Sequence, residues 1–179
     1  MRRAALAAPL LALALALATP VRAQEPGGAP IPYAAPGAWT VAIDPTLGRG
    51  CFAMRVWPDG LVLRLGFAPS REASYLFVAN DRWPAPETRA GLTLAPDAAG
   101  PYRYDARAVD LSGTRALAAG PLSDDLLDAL SRAYALAVAV EGGPSAEVSL
   151  AGSARALDAL IACQRETTGA AEFGGDPFG

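Results

Sequence analysis

The stretch Arg49–Phe67, RGCFAMRVWPDGLVLRLGF, does most to decide the fold. It contains two β-prone runs, at 52–57 and 61–67, separated by Pro-Asp-Gly at 58–60. Proline presets the backbone φ angle that a turn requires, and glycine takes the positive φ that follows. The stretch therefore predicts a β-hairpin with a three-residue loop and a bulge at Gly60.

Such a loop places Trp57 roughly opposite Leu61, and alternation along each strand then separates the side chains into two faces. The more apolar face carries Cys51, Ala53, Arg55 and Trp57 with Leu61, Leu63, Leu65 and Phe67. We expect this face to look inward. Because a charge on an apolar face requires compensation, we expect Arg55 to have a partner such as a carboxylate, or to lie near the rim of the sheet.

Further β-prone segments and two helices follow along the chain. Seven more strands are predicted, at residues 39–43, 73–79, 90–95, 102–109, 114–119, 135–141 and 146–150. Ser123 is predicted to cap one helix, and Ser153 to cap a second helix that runs to about Arg165. The predicted fold class is α+β: a single domain in which an antiparallel β-sheet of hairpins, with six to nine strands, is packed by two helices from the C-terminal half.

The two ends of the chain differ in composition from the middle. Residues 1–23 have a basic start, an apolar run and small residues near Ala23, a pattern typical of a cleaved secretory signal peptide. A membrane anchor is the alternative, but the apolar run is shorter than a membrane-spanning helix needs. Residues 24–38 predict a flexible Pro/Gly/Ala leader, residues 39–166 a globular domain, and residues 167–179 a flexible tail.

Charge excludes some classes of partner. The chain has no His and no Lys, and cleavage of the signal peptide would remove Arg2, Arg3 and Arg22 from 15 basic residues. The mature chain would then carry 12 arginines against 18 acidic residues, a net charge of −6. Such a charge argues against nucleic acid or anionic lipid as the main partner. Arginine as the sole basic residue in an Ala-, Gly- and Pro-rich chain is typical of a GC-rich bacterial genome.

Two cysteines remain after cleavage, Cys51 and Cys163. A signal peptide leads to the periplasm or to secretion, and in an oxidising compartment an even pair of cysteines predicts a disulfide. The alternatives are two free thiols or a metal site, although a metal site would need His or further Cys ligands.

The missing residue types also exclude several reaction chemistries. Without His there is no His-based catalytic triad, and without Lys there is no Schiff base, Ser–Lys dyad or P-loop. We therefore expect no cofactor, no metal site and no enzymatic activity. The alternative function is a carboxylate-dependent hydrolase with an Asp/Glu pair. The closest pair in sequence is Asp124 and Asp125, and helix capping explains that pair better.

Three residues are candidates for contact with a partner: Arg103, Arg107 and Trp83. Arg103 and Arg107 share one face of a predicted strand with Asp105, and the planar guanidinium fork of Arg suits carboxylates. A solvent-exposed charge ladder across strands is the simpler interpretation of these residues. Trp83 lies in a Pro-rich turn, where it would serve as a plug over the core or, less simply, as an exposed anchor.

The segment Glu147–Glu166, EVSLAGSARALDALIACQRE, resembles the ending of small exported alphaproteobacterial families. In these families a strand, a Leu-x-Gly step and an Ala/Leu helix close the domain, and the invasion-associated locus B family is a distant relative of this kind. The stretches GCFAMRVWPDGLVLRLGF, NDRW and AGLTL fit the same layout. The resemblance implies an exported domain without a catalytic motif. We therefore expect a non-enzymatic periplasmic or secreted binding or envelope accessory domain, whose partner is another envelope protein.

Overall fold

A computed structural model of the chain describes residues 28–68, 73–84, 88–111 and 113–168. The predicted signal peptide, and the predicted tail beyond Thr168, lie outside these residues. The strands are β1 (Ile31–Ala34), β2 (Thr40–Asp44), β3 (Gly50–Val56), β4 (Val62–Ala68), β5 (Ala73–Ala79), β6 (Arg89–Pro96), β7 (Tyr102–Leu111), β8 (Thr114–Ala119), β9 (Ala135–Val140) and β10 (Ser145–Ser149). The helices are α1 (Asp124–Arg132) and α2 (Ser153–Thr168), and a short 3-10 turn spans Pro45–Leu47.

All ten strands belong to one open antiparallel sheet, with the order β1-β2-β3-β4-β5-β8-β7-β6-β9-β10. The predicted antiparallel sheet is therefore confirmed, and each of the nine predicted strands has a counterpart. Because two helices accompany a ten-stranded sheet, the domain is mostly β, and the α part of the predicted α+β class is minor.

The hairpin at 49–67 forms as predicted. The Trp57 N–H donates to the Leu61 carbonyl at 2.9 Å, the Gly60 N–H donates to the Trp57 carbonyl at 3.0 Å, and Gly60 has a φ of +87°. The predicted inner face is buried, since Cys51, Ala53, Leu61 and Leu63 are at most 1% exposed. The turn chemistry and the alternation therefore fixed the register of β3 against β4.

The core lies on the inner face of a sheet that curves around it. Leucines from the β4–β5 half of the sheet and from the β6–β9 half belong to one buried cluster, as do the inward-facing leucines of both helices. Helix α2 packs on β2, β3 and α1. Burial of these apolar side chains supplies the main driving force for closing the sheet around the helices.

The predicted leader at 24–38 is wrong in part, because β1 lies within it and pairs with β2. The local sequence hides this strand, since Pro32 lacks an N–H and interrupts a β-prone run. At the edge of a sheet a proline is tolerated, because no strand lies on its outer side. The Tyr33 hydroxyl also donates to the Glu166 carboxylate at 2.8 Å and so ties β1 to the end of α2.

Both helices begin near the predicted positions. The Ser123 side chain caps α1 and accepts the Leu126 N–H at 3.3 Å. Ser153 is the first residue of α2 rather than its cap, and α2 continues to Thr168, so the helix includes the first two residues of the predicted tail. Within the described residues, neither helix combines the length and the apolar character needed to cross a membrane.

The predicted disulfide between Cys51 and Cys163 is present. It joins β3 to α2 with a Cα–Cα distance of 6.0 Å, and both cysteines are fully buried. The neighbouring side chain of Gln164 accepts the Cys51 N–H through its Oε1 atom at 2.8 Å. A covalent bond and a buried hydrogen bond therefore hold the same strand against the same helix.

Candidate functional site

Arg55 has two kinds of partner on the far side of the curved sheet. Its guanidinium donates to the Ala151 carbonyl at 2.9 Å and lies 4.9 Å from the ring centre of Trp57 and 5.9 Å from that of Trp39. The expected carboxylate is thus replaced by a carbonyl and two indole rings. Cation–π contacts of this kind compensate a guanidinium on a largely apolar face.

The two indoles make the same connection. The indole N–H of Trp57 donates to the Ser149 carbonyl, and the indole N–H of Trp39 donates to the Ala151 carbonyl, each at 3.2 Å. We call Trp39, Arg55 and Trp57 the seam cluster, because they join β3 and the start of β2 to the end of β10 and the turn that follows it. The contacts of Arg55 therefore stabilise the fold and do not form a binding or catalytic site.

A second arginine lies in a polar cluster on the outer face of the sheet. Arg64 forms an ion pair with Asp44, contacts the Tyr75 hydroxyl at 2.9 Å and lies 3.8 Å from the ring centre of Phe52. Tyr75 reaches this position because it covers Gly66, where a Cβ atom would stand 2.6 Å from the Tyr75 hydroxyl. Each polar group in the cluster thus has a partner, as buried charges require.

Burial and hydrogen bonding oppose each other in this cluster. Burial alone would raise the pKa of Asp44, but hydrogen bonds from Arg64 and Thr46 outweigh it and hold that pKa below its ordinary value. Burial raises the pKa of Tyr75 above its ordinary value, although Arg64 acts in the opposite direction. Asp44 is thus ionised and Tyr75 neutral near pH 7, which gives a stable ion pair rather than a proton-transfer pair.

The candidate residues Arg103 and Arg107 project from the outer face of β7 and are exposed. In the register of β6 and β7, Arg107 lies directly opposite Arg89, Asp105 opposite Gly91 and Arg103 opposite Thr93. The side chains of Arg89, Arg103, Asp105 and Arg107 therefore share one surface, which we call the arginine face.

The arginine face contains one internal ion pair. Arg89 binds the Asp105 carboxylate, and both side chains are more than half exposed, at 61% and 65%. The guanidinium groups of Arg103 and Arg107 form no hydrogen bond or ion pair with any other residue that the structure describes. Of the three arginines on the arginine face, only Arg89 has an ion pair with another residue that the structure describes.

A second carboxylate borders the arginine face. The Glu141 N–H donates to the Gly91 carbonyl at 2.8 Å, and the Glu141 side chain covers the Gly91 backbone. A Cβ atom at Gly91 would stand 2.4 Å from the Glu141 carboxylate, so glycine at 91 lets the Glu141 side chain lie in this position. The surface therefore alternates in charge: arginines at 89 and 107, carboxylates at 105 and 141, and an arginine at 103.

Trp83 belongs to a different surface. It is half-buried, packs against the core cluster and lines a small cleft together with Val78, Leu117 and Val140 from the inner face of the sheet. The cleft has a volume of about 30 Å³, enough for one or two water molecules. The structure thus separates Trp83 from Arg103 and Arg107, and its contacts are those of a plug over one end of the core.

Among the residues that the structure describes, most carboxylates that a hydrolase could use have structural partners. Asp124 and Asp125 lie in the first turn of α1, where the helix dipole favours negative charge. Backbone N–H groups donate to four other carboxylates: Thr46 to Asp44, Leu61 to Asp59, Tyr134 to Asp97 and Gly113 to Asp110. Among the described residues, no group of three or more Asp, Glu, Cys or His side chains could hold a metal ion.

The fold resembles that of a solved structure. It is similar to invasion associated protein B from Bartonella henselae, with a TM-score of 0.54 and 16% sequence identity. The match covers 74% of this chain and 97% of the Bartonella chain. No protein-family model and no curated protein matches the chain. The distant resemblance inferred from the sequence is supported at the level of the fold, which is all that such an identity shows.

Sequence reasoning missed Arg89 as a member of the arginine face. Arg89 and Arg107 are 18 residues apart in sequence, and only the register of β6 against β7 brings them together. The turn at 97–101 could have predicted this register. Counting outward from the pair Leu94 and Tyr102 on either side of the turn places Arg89 opposite Arg107. The alternation of β7 alone could identify Arg103 and Arg107, but not their neighbour on the next strand.

Proposed function

We propose that this chain is a non-enzymatic binding domain of the bacterial cell envelope, periplasmic or secreted, that contacts a partner protein through the arginine face. The observation that carries the proposal is the pair of exposed guanidinium groups, Arg103 and Arg107, without counter-charges among the described residues. Arg is enriched in protein interfaces, where its planar fork binds carboxylates through two parallel hydrogen bonds.

The placement of Arg107 supports binding over a purely structural role. Like charges directly opposite each other on neighbouring strands destabilise a sheet, and Arg107 faces Arg89. Asp105 forms its ion pair with Arg89, and Arg107 has no ion pair with any residue in the described ranges, so we infer that the fold gains little from Arg107. An acidic partner would supply the missing counter-charges.

The rigidity of the scaffold and the chemistry of the cysteines support the rest of the proposal. Central strands, β7 with β6 and β8 beside it, present the arginine face, and a buried disulfide ties the sheet to α2. A disulfide of this kind is typical of an oxidising compartment outside the cytoplasm. The structural roles of the partnered carboxylates favour a non-enzymatic domain, and the fold shared with invasion associated protein B gives no reason to propose a role in invasion.

A capture experiment with matched variants tests the proposal. Immobilised wild-type chain and the Arg103→Glu/Arg107→Glu variant are exposed to an envelope fraction, and each retained protein is purified and titrated against both. The matched control is Arg82→Glu/Arg155→Glu, which makes the same change in net charge at exposed positions outside the arginine face. We expect direct binding to be lost in the first variant and retained in the control. Equal binding by all three proteins would contradict the proposal.

A further inference from the structure

The charge pattern of the arginine face has a fixed period. Arg103, Asp105 and Arg107 alternate along one face of β7, so that Arg103 and Arg107 lie about 13 Å apart with a carboxylate midway. Arg89 stands about 5 Å from Arg107 on the neighbouring strand. Glu141 adds a second carboxylate beside Gly91, in the same row as Asp105. The face therefore has two positive ends and a negative centre.

An extended peptide has the same period as the strand that it would lie along. Its side chains at positions i, i+2 and i+4 project to one side, and the outer two are separated by about 13 Å. In a helix, by contrast, residues i and i+4 lie only about 6 Å apart. Two carboxylates four residues apart can therefore reach both ends of the arginine face when the segment is extended.

We propose that the arginine face binds an extended acidic segment of another protein, in which two acidic residues four positions apart flank a residue that is not acidic. One acidic side chain binds between Arg89 and Arg107, and the other binds Arg103. Asp105 and Glu141 repel a carboxylate at the central position and so set the spacing. This inference rests on the proposed function, because it names the chemistry of the partner for the same surface.

The charge distribution favours a protein segment over an anionic membrane. The arginine face, with three arginines and the carboxylates of Asp105 and Glu141, has a net charge of only +1. The expected net charge of the mature chain is −6. A uniformly negative surface would be repelled by the rest of the chain and by the central carboxylates. Two carboxylates at the correct spacing would meet the arginines rather than the central carboxylates, and their small charge would be repelled less by the rest of the chain.

Two peptides of identical composition test the spacing. The first, Ac-Thr-Glu-Thr-Gln-Thr-Glu-Thr-amide, has acidic residues four positions apart, and the second, Ac-Thr-Gln-Thr-Glu-Thr-Glu-Thr-amide, has them two apart. Binding to the isotopically labelled chain is followed by NMR titration at low salt, where ion pairs are screened least. We expect the first peptide to bind about fivefold more tightly, the factor that a good exposed ion pair contributes, and to shift the amide signals of β6 and β7.

Single-residue variants assign the effect. Arg103→Ala and Arg107→Ala should each weaken binding of the first peptide about fivefold, while Arg155→Ala, at an exposed position on α2, leaves it unchanged. Asp105→Asn should change the specificity for the central position, which a third peptide with Glu at all three positions tests. The wild-type chain should bind this third peptide no more tightly than the first peptide. The Asp105→Asn variant should bind the third peptide about fivefold more tightly than the first. Unchanged thermal midpoints would establish that these variants are folded.

The outcomes separate this inference from the proposed function. Equal affinity for the first two peptides, with loss of binding in the arginine variants, would overturn the spacing and leave the arginine face as a binding surface. If neither peptide bound and envelope partners were retained equally by the Arg103→Glu/Arg107→Glu variant, both proposals would fail. Self-association through the arginine face in sedimentation experiments would make the occupant a second copy and would overturn the assignment to another protein.

Discussion

Arg55 and Ala151 are 96 residues apart in sequence, and the guanidinium of the first donates to the carbonyl of the second at 2.9 Å. This contact joins strand β3 to the turn that leads into α2. The indole rings of Trp57 and Trp39 flank the same guanidinium, and their N–H groups donate to the carbonyl of Ser149 at the end of β10 and to that of Ala151 in the turn. The seam cluster thus explains why an arginine stands on a face that otherwise packs the core.

Replacing Arg55 should weaken the fold without affecting the arginine face. We expect Arg55→Met to lower the free energy of unfolding by about 1–2 kcal/mol, since it removes a charge-assisted hydrogen bond and two cation–π contacts. Arg55→Lys should have a smaller effect, because the charge is kept. Urea unfolding measures both variants, with Arg155→Met as the control at an exposed helix position. A stability of Arg55→Met equal to that of the wild type would contradict the role of the seam cluster.

The Asp44–Arg64 pair should make stability depend on pH. The pKa of Asp44 is lower in the folded chain than in the unfolded chain, so the folded chain gains stability above the unfolded value of about 3.9 and loses it as the pH falls through the folded value. Asp44→Asn should cost about 2–3 kcal/mol at pH 7, because it leaves Arg64 without its counter-charge.

The check is the difference in unfolding free energy between wild type and Asp44→Asn, measured from pH 7 down to pH 2.5. We expect this difference to shrink as the pH falls below about 4. A difference that stays constant over that range would show that ionisation of Asp44 does not contribute.

The disulfide should resist reduction in the folded chain. Both cysteines are fully buried and lie 112 residues apart in sequence. Thiol titration of the denatured, unreduced chain should find no free thiol among residues 28–168, and native chain in mild reductant should react slowly. Cys51→Ser/Cys163→Ser should lower the free energy of unfolding by about 2–5 kcal/mol. Two titratable thiols in the denatured, unreduced chain would exclude the bond.

The predictable parts of the fold were those with a local cause. The Pro-Asp-Gly turn and the alternation around it predicted the β3–β4 register, and the Ser123 cap predicted the start of α1. The strand β1 escaped prediction because its pairing with β2 depends on being at the edge of the sheet, where Pro32 is tolerated. The curvature that brings Arg55 to Ala151 is a property of the whole sheet, and no local pattern encodes it.

The candidate site divides in the same way. Period two along β7 was sufficient to identify Arg103 and Arg107 as neighbours on one face. Predicting the neighbours on other strands, Arg89 and Glu141, would have required the register of β6 with β7 and its pairing with the end of β9. The ion pair between Arg89 and Asp105 followed only from the side-chain positions, as did the lack of an ion pair at Arg103 and Arg107 within the part of the chain that the structure describes.

The central claim is that Arg107 serves binding rather than the fold, and Arg107→Thr tests it most directly. Threonine suits a strand, and its introduction removes the like charge opposite Arg89. We expect the variant to be as stable as the wild type, or more stable by up to about 0.5 kcal/mol at low salt, while its affinity for the peptide with acidic residues four positions apart falls about fivefold. A loss of more than about 1 kcal/mol in stability with unchanged peptide affinity would contradict the claim.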